Sequence, residues 1–493
     1  MSDPAPSLAR VIVRNTVWTS LGTYANIVLG FASNLILTRL LPLEVFGYLT
    51  AGTFWTAQLG LRSKAGLTYA AIQQNTLDGD LLGTYWVTDL ILAGVSLLLS
   101  SSAAAVLGVL GYPGPVVIAV VVLMLAECLP ALTGALSMAL EKELQVSYLT
   151  LLSLLASAGA YLVAIVMALR GAGVYSLLAI NTVLALLGLV GMVLLCRWRL
   201  PQIFAWRWRF SRSLATSLLR RGLTTGLALT IVLGFVATYD NFLVGTFVGW
   251  DIAGLYDRAY KTAQWPNVLL STVVGRIGFL TYAKVKDDPD RLRHAVRLSL
   301  WVLLTLGLPM GLCLAYGAPE VMAVLYDPRW LASSAYLPYI ALYALSGLFW
   351  SVGFWLAVAR ADTRMTIILT VSQAILMLVV TTPLTRLWGV AGTLVGVGIT
   401  LGVALLLSIR YVFRTVALNP VTTLGPAAVA SGLTALALSG LHRWSLWIAL
   451  PSLPRLIVIG CVGFVIFLTS LIALRPAEFR ERLAYLQQAW RRP

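Results

Sequence analysis

The sequence predicts an all-α protein that crosses a membrane many times, and three observations carry that expectation. Of the 493 residues, 59% are hydrophobic and 11% are charged, against roughly 25% charged in a soluble domain; the mean hydropathy is +0.88. Apolar runs of about 20 residues, the length that spans hydrocarbon as a helix, recur from end to end. The breaks between the runs carry their lysines and arginines on alternate sides.

Fourteen spans are expected, at 15–37, 45–70, 82–107, 116–139, 147–169, 173–195, 222–246, 252–279, 295–316, 335–358, 365–384, 388–411, 424–441 and 456–474. The first follows "MSDPAPSLARVIVRN" at span length, without the short apolar core and small-residue cleavage site of a secretory leader. "LLPLE" separates spans one and two, "GYPG" three and four, "EKELQ" four and five, and "RGAG" five and six. A long basic linker then leads to span seven, and "VGWD" leads to span eight. The remaining breaks are "AIQQNTLDGD" between spans two and three, then "KVKDDPDRLR", "YDPRW", "ARADT", "RLWG", "ALNP" and "LPR". Spans two and eight are the least apolar.

The net charge of +16 is chiefly the positive-inside rule. With the N-terminus inside, the inside gaps hold 24 lysines and arginines and the outside gaps six. The linker after span six holds seven of them, Arg197, Arg199, Arg207, Arg209, Arg212, Arg220 and Arg221. Both termini are therefore expected inside. In "WRWRFSRS" tryptophans and arginines interleave, and the expected reading is an interfacial segment with Trp206 and Trp208 at headgroup level, not a nucleic-acid site. The tail after Ala473 places Phe479, Leu483 and Leu486 at helical spacing between arginines, as in a short helix lying on the cytoplasmic leaflet.

Enzyme chemistry finds no support. Cys128, Cys196, Cys313 and Cys461 lack metal or redox spacing, and His294 and His442 are too few for a histidine metal site. No phosphate-binding loop, nucleophile elbow or zinc-protease motif occurs. No cofactor or metal is expected.

The chain also resembles itself. "NLILTRLLPLEVFGYLTAGTFWTAQ" lies over "NFLVGTFVGWDIAGLYDRAYKTAQ", with Asn34 and Asn241, Glu44 and Asp251, and Gly47 and Gly254 each 207 residues apart. Gly173 and Gly389 match further on. Spans one to six thus correspond to seven to twelve, in parallel orientation, and their axis is expected along the membrane normal with a substrate path between the halves. The expected division is 1–208, 209–415, and 416–493 for spans thirteen, fourteen and the tail.

The patterns "LILTRLLPLEVFGYLTA" and "DNFLVGTFVGWDIAGLYDRAYKTAQ" resemble Wzx-type polysaccharide flippases of the multidrug/oligosaccharidyl-lipid/polysaccharide exporter superfamily. The resemblance implies two six-helix lobes plus two extra helices, in a bacterial inner membrane. It implies a secondary transporter that carries undecaprenyl-diphosphate-linked oligosaccharide to the periplasmic leaflet by alternating access, for O-antigen, capsule or exopolysaccharide. Na⁺ or H⁺ is the implied coupling ion, and a polysaccharide polymerase and chain-length regulator are implied partners. A multidrug/cation antiporter or a flippase for the peptidoglycan lipid precursor on the same fold remains the alternative.

Charges inside the spans indicate where substrate would be held. Charge in hydrocarbon costs roughly 2.5–3.5 kcal/mol per residue even on lenient scales, so such residues are expected to face a water-filled cavity. In span eight Asp257 and Lys261 are i,i+4 and share a face with Gln264, while Arg258 lies one step round. Span two offers Gln58 and Arg62 on a polar stripe. Arg62, Arg258 and Lys261, with Lys64 and Arg276 as weaker candidates, are the expected diphosphate ligands, since arginine grips phosphate bidentately. Asp89, Glu127 and Asp240 are candidates for ion coupling or for neutralising those cations; simple helix pairing by Asp257 is the competing role. Reporter fusions check the topology: a periplasm-active reporter placed after Arg170 or near Trp330 is expected active, and one near Arg209 or Asp288 silent. Activity at Arg209 would overturn the orientation.

Overall fold

The computed structural model describes residues 8–74, 76–271, 278–443, 450–476 and 480, with side chains from residue 18 onward except at 223–229 and 271. Every regular element among the described residues is helical. Arg276 and the expected tail helix with Phe479, Leu483 and Leu486 lie outside the described residues. The chain forms two compact units, Met1–Gly254 and Leu255–Pro493.

The first unit begins with α1 (Leu8–Leu40) and then a span in three pieces, α2 (Leu43–Leu59), α3 (Leu61–Lys64) and α4 (Leu67–Ile72). Next come α5 (Gly79–Val109), α6 (Gly114–Cys128), α7 (Gly134–Lys142), α8 (Val146–Leu169), α9 (Val174–Arg199) and α10 (Arg212–Phe247). Asp78 caps α5, its Oδ1 accepting from Leu81 N at 2.8 Å, which satisfies one of the free N–H groups of a helix start. A helix that must pack on others without water to drive it uses small residues. The buried stripe of α8 is Ala156, Ala160, Ala164 and Ala168, and it packs between α1 and α9.

The basic linker does not hang free. Arg209 N donates to Gly79 O at 3.3 Å, Ser211 N donates to Thr84 Oγ1 at 3.0 Å, and the Trp208 ring meets Trp86 edge-on at 5.9 Å. Trp206 and Trp208 pack half-buried on a core cluster that includes Leu81, Tyr85 and Ile203. The start of α5 presents glycines 79 and 83, against which the linker backbone lies. Arg207 and Arg209 remain exposed.

α11 (Trp250–Ala263) starts in the first unit and runs into the second. The second unit continues with α12 (Trp265–Ser271), α13 (Gly278–Val285), α14 (Pro289–Val302), α15 (Leu308–Tyr316), α16 (Ala318–Leu325), α17 (Leu337–Ala359), α18 (Thr363–Leu376), α19 (Thr382–Thr415), α20 (Pro420–Arg443) and α21 (Ser452–Leu474). Leu303–Gly307 and Met377–Thr381 are π-helical, each two residues before a proline, Pro309 and Pro383. Proline cannot donate to the preceding turn, and a widened turn absorbs the mismatch. The last two helices pack on α15 and α16. There Arg455 Nη1 stands 3.8 Å from Glu320 Oε1, and Cys313 Sγ donates to Ile459 O at 3.6 Å.

Eleven described stretches are long and apolar enough to cross a membrane, against fourteen expected. Two of the differences are the broken spans two and eight. The third is the 53-residue stretch Thr363–Thr415, which at 1.5 Å per residue would be about 80 Å long. It turns at Gly389, whose φ is 60° and ψ −136°.

The strongest packing constraint lies where the first turns of α2 and α11 cross. A Cβ on Gly47 would collide with the Trp250 carbonyl oxygen, and one on Gly254 with the Leu43 carbonyl oxygen. Residues 43 and 250 are themselves 207 apart, so the contact repeats under the same offset as the sequence match. Gly47→Ala and Gly254→Ala are each expected to cost about 1–3 kcal/mol through overpacking and to lower abundance and Tm. Gly432→Ala in α20, where a Cβ meets nothing within 4 Å, is the control. Unchanged Tm in both crossing variants would contradict the contact.

Candidate functional site

The first unit contains a cavity of about 760 Å³ walled by α2 to α9. It exists because two spans are interrupted at its level. Span two stops at Leu59, turns through Gly60 (φ −71°, ψ 84°), makes the single turn α3, and resumes after Gly66 in the left-handed region (φ 61°). Span four changes between α6 and α7 to a 3-10 segment, Leu129–Thr133, that contains Pro130. A broken helix in hydrocarbon frees backbone groups that must find other partners.

Polar side chains supply those partners. Leu61 N donates to Ser96 Oγ at 2.9 Å. Gly60 O accepts from Lys64 Nζ at 3.0 Å and from Ser63 Oγ at 3.3 Å. Arg62 Nη1 donates to Glu127 O at 3.4 Å, and Arg62 Nε lies 3.1 Å from both carboxylate oxygens of Asp89. Ser63 Oγ donates to Glu127 Oε1 at 2.6 Å. Gly134 is what lets the Asp89 carboxylate in, since a Cβ there would collide with it.

Arg62 and Glu127 line the cavity, together with Glu141, Asn181, Ser137 and Tyr85. Arg62 has five N–H donors; Asp89 and Glu127 O take two of them. Lys64 is buried, with 8% exposure, and serves the backbone break. Gln58 Nε2 is buried with no hydrogen-bond partner among the described residues.

In the second unit Asp257 is paired, as in the competing role, with Lys261 Nζ 2.8 Å from Asp257 Oδ2. The Lys261 side chain is 48% exposed and that of Asp257 8%. Arg258 is placed otherwise. It is 1% exposed, and its guanidinium sits 5.4 Å from the Tyr326 ring centre and 4.9 Å from that of Trp330, which is cation–π geometry. Gln264 lies at the break between α11 and α12, where its side-chain oxygen accepts from Asn267 Nδ2. Asp240, on α10 in the first unit, is buried and accepts from the Asn241 backbone N at 2.8 Å. The apparent excess of intramembrane cations is thus partly balanced from other spans, by Asp89 above all.

Sequence reasoning missed Glu141, Asn181, Ser137 and Tyr85. Asn181 had a usable signal, as a lone amide in the apolar run of span six. Glu141 sat in the charged break "EKELQ" and read as loop.

The profile of a family described as "Polysaccharide biosynthesis protein" matches residues 36–335, which contain this cavity. The chain belongs to that family. Among curated polysaccharide biosynthesis relatives, the succinoglycan biosynthesis transport protein ExoT of Rhizobium meliloti (strain 1021) is 29% identical over 345 residues, 69% of this chain and 66% of that one. The lipopolysaccharide biosynthesis protein WzxC of Escherichia coli (strain K12) is 27% identical over 128 residues, 25% of each chain. This polysaccharide biosynthesis protein therefore spans just under two thirds of ExoT's length and a quarter of WzxC's in those alignments. The Wzx-type resemblance read from the sequence stands with these relatives. In fold, the chain matches a structure of the lipid II flippase MurJ in an inward closed conformation, with TM-score 0.66, 12% identity, and coverage of 93% of this chain and 99% of that one. It also matches an inward-facing multidrug resistance MATE family transporter, with TM-score 0.61, 15% identity, and coverage of 80% and 95%.

Removing one member of a buried pair strands the other charge, at about 3–5 kcal/mol. Asp89→Leu is expected to lower membrane abundance strongly, and Arg62→Leu combined with Asp89→Leu to recover most of it. Strictly additive losses would show that the two side chains do not depend on each other.

Proposed function

We propose that this polysaccharide biosynthesis protein moves an oligosaccharide carried on undecaprenyl diphosphate from the cytoplasmic to the periplasmic leaflet of a bacterial inner membrane. Both termini lie on the cytoplasmic side in this reading, which follows the arginine asymmetry. The transporter works by alternating access of two repeat halves, 1–208 and 209–415, with spans thirteen and fourteen added. It is no enzyme: substrate changes side, and no bond is made or broken.

The observation that carries the reading is the broken span two, which places Arg62 on the wall of a polar cavity inside a chain of this family. Discontinuous helices at mid-membrane are where transporters of this general kind bind their cargo. Arg62 keeps three N–H donors beyond those used by Asp89 and Glu127 O, and a diphosphate accepts charge-assisted bonds from such donors. Taken by itself, the second unit offers Lys261 as its cation best able to meet an anionic cargo, because its ammonium is the most exposed among the candidate cations whose exposure is described. Arg258 and Lys64 act structurally in this reading, one stacked on aromatic rings and one holding the break. Asp89 competes with the diphosphate for Arg62, so cargo entry loosens the contact between spans two and three. Na⁺ or H⁺ coupling through Asp89, Asp240 or Asp257, and cooperation with a polymerase and chain-length regulator, belong to the same proposal.

One observation favours a second reading, a cation exporter: the cavity lining holds Glu127 and Glu141 against Arg62 alone. Complementation separates the two. In a strain lacking its own flippase, the wild-type chain is expected to restore surface polysaccharide. Lys261→Ala is expected to reduce it several-fold at unchanged protein level, while Arg258→Ala lowers protein level and polysaccharide together. Resistance to cationic drugs without any polysaccharide restored would favour the exporter.

A further inference from the structure

The cavity in the first unit has a chemistry that a diphosphate alone does not explain. Its volume, about 760 Å³, falls in the range of roughly 300–1,000 Å³ typical of small-molecule pockets. Five helices bring hydroxyl, amide and carboxylate groups to its wall: Thr56 from α2, Glu127 from α6, Ser137 and Glu141 from α7, Ser153 from α8 and Asn181 from α9. The side chains of Glu141 and Asn181 make no hydrogen bond or ion pair among the described residues. The Thr56 Oγ1 atom is buried at this wall with no hydrogen-bond partner among the described residues. Between the polar groups stand leucines 123, 149, 152, 184 and 189.

We infer that this cavity is a saccharide subsite, and that it selects neutral or amino sugars over acidic ones. The inference rests on the flippase reading and names which part of the cargo the cavity takes. A sugar presents hydroxyls that both donate and accept, over faces of C–H groups. Carboxylates accept pairs of hydroxyls, the Asn181 amide and the serine and threonine hydroxyls do both, and leucines pack the C–H faces. Charge sets the sign of the selection. Arg62 faces Glu127 and Glu141 on the wall, a net of one negative charge, and Asp89 stands behind Arg62 on its other side. A uronic acid or a phosphorylated sugar would bring like charge against these carboxylates, which is discrimination by repulsion. The diphosphate is then held at Arg62 on the cavity wall, with the first sugars reaching toward Glu141 and Asn181.

Gly188 on α9 supplies the test. It lines the cavity, and a Cβ there meets nothing within 4 Å, so a large side chain at this position enters the open space. The full-length protein in nanodiscs is titrated with four probes: undecaprenyl diphosphate, the same lipid bearing a neutral tetrasaccharide, the same lipid with one glucuronic acid in the tetrasaccharide, and the free neutral tetrasaccharide. The neutral sugars are expected to tighten binding about tenfold over the sugar-free lipid, the worth of one or two net hydrogen bonds. Gly188→Phe is expected to remove most of that increment, with Ser153→Tyr as a second filling variant from the neighbouring helix α8. Glu141→Lys is expected to shift preference toward the acidic tetrasaccharide. No sugar increment in the wild type, or an increment untouched by both filling variants, overturns the subsite. Failure of the flippase reading looks different. The lipid diphosphate then does not bind, while the free neutral tetrasaccharide still does and is lost on Gly188→Phe.

Discussion

Backbone groups freed inside hydrocarbon must be satisfied by something, and in this chain that need organises the first unit. Span two breaks between Gly60 and Gly66, and two residues singled out in the sequence, Arg62 and Lys64, are among those that repair the break. Lys64 and Ser63 reach back to the Gly60 carbonyl, Ser96 caps Leu61, and Arg62 bonds the Glu127 carbonyl where span four is itself interrupted. Because the repair uses charged groups, it needs counter-charge, and Asp89 and Glu127 provide it. Because two helices are interrupted at one level, they leave an open volume with polar walls. Cavity, charge pair and broken helices are one physical fact.

The same reasoning sorts the basic residues by what surrounds them. A guanidinium stacked on Tyr326 and Trp330 at 1% exposure is held as firmly as a core side chain, and loses much of its reach for a mobile cargo. An ammonium tied to Asp257 yet half exposed keeps it. Arg62 stands between these cases, tied on one side to Asp89 and lining the cavity with the rest of its fork. Such a group can exchange one anionic partner for another at low net cost, since neither state leaves it stranded.

Much of the architecture was legible because membrane helices announce themselves by length and apolarity. The long uninterrupted helices α5, α8, α9 and α21 fall where the apolar runs fall. The 207-residue offset also reappears as a contact, since Gly47 and Gly254 meet the carbonyls of residues 250 and 43. That Asp257 and Lys261 share a face followed from helical spacing alone. What was not legible depends on contacts distant in sequence. Nothing near Arg258 shows that Tyr326 and Trp330 will enclose it. Nothing near Arg62 names Asp89 rather than Glu127 as its ion-pair partner, because both are single acids in apolar runs. The breaks themselves left only a faint trace, Gly60 and Gly66 in span two and Pro130 in span four, and a proline or glycine in a membrane helix often leaves it intact. The cavity wall was missed for the same reason: Glu141, Ser137 and Asn181 come from separate helices, and only the fold brings them together.

The central claim is that the cavity built around the broken span two serves the passage of a lipid-linked oligosaccharide. It is tested most directly by flipping itself. The purified chain is reconstituted in vesicles whose inner leaflet alone holds undecaprenyl diphosphate bearing a galactose-containing tetrasaccharide, and external galactose oxidase reports each molecule that reaches the outside. Labelling is expected to rise quickly with the wild-type protein and to stay at the level of empty vesicles with Gly188→Phe. Contradiction would come from either of two results: no acceleration by the wild type, or acceleration that the filled cavity leaves unchanged.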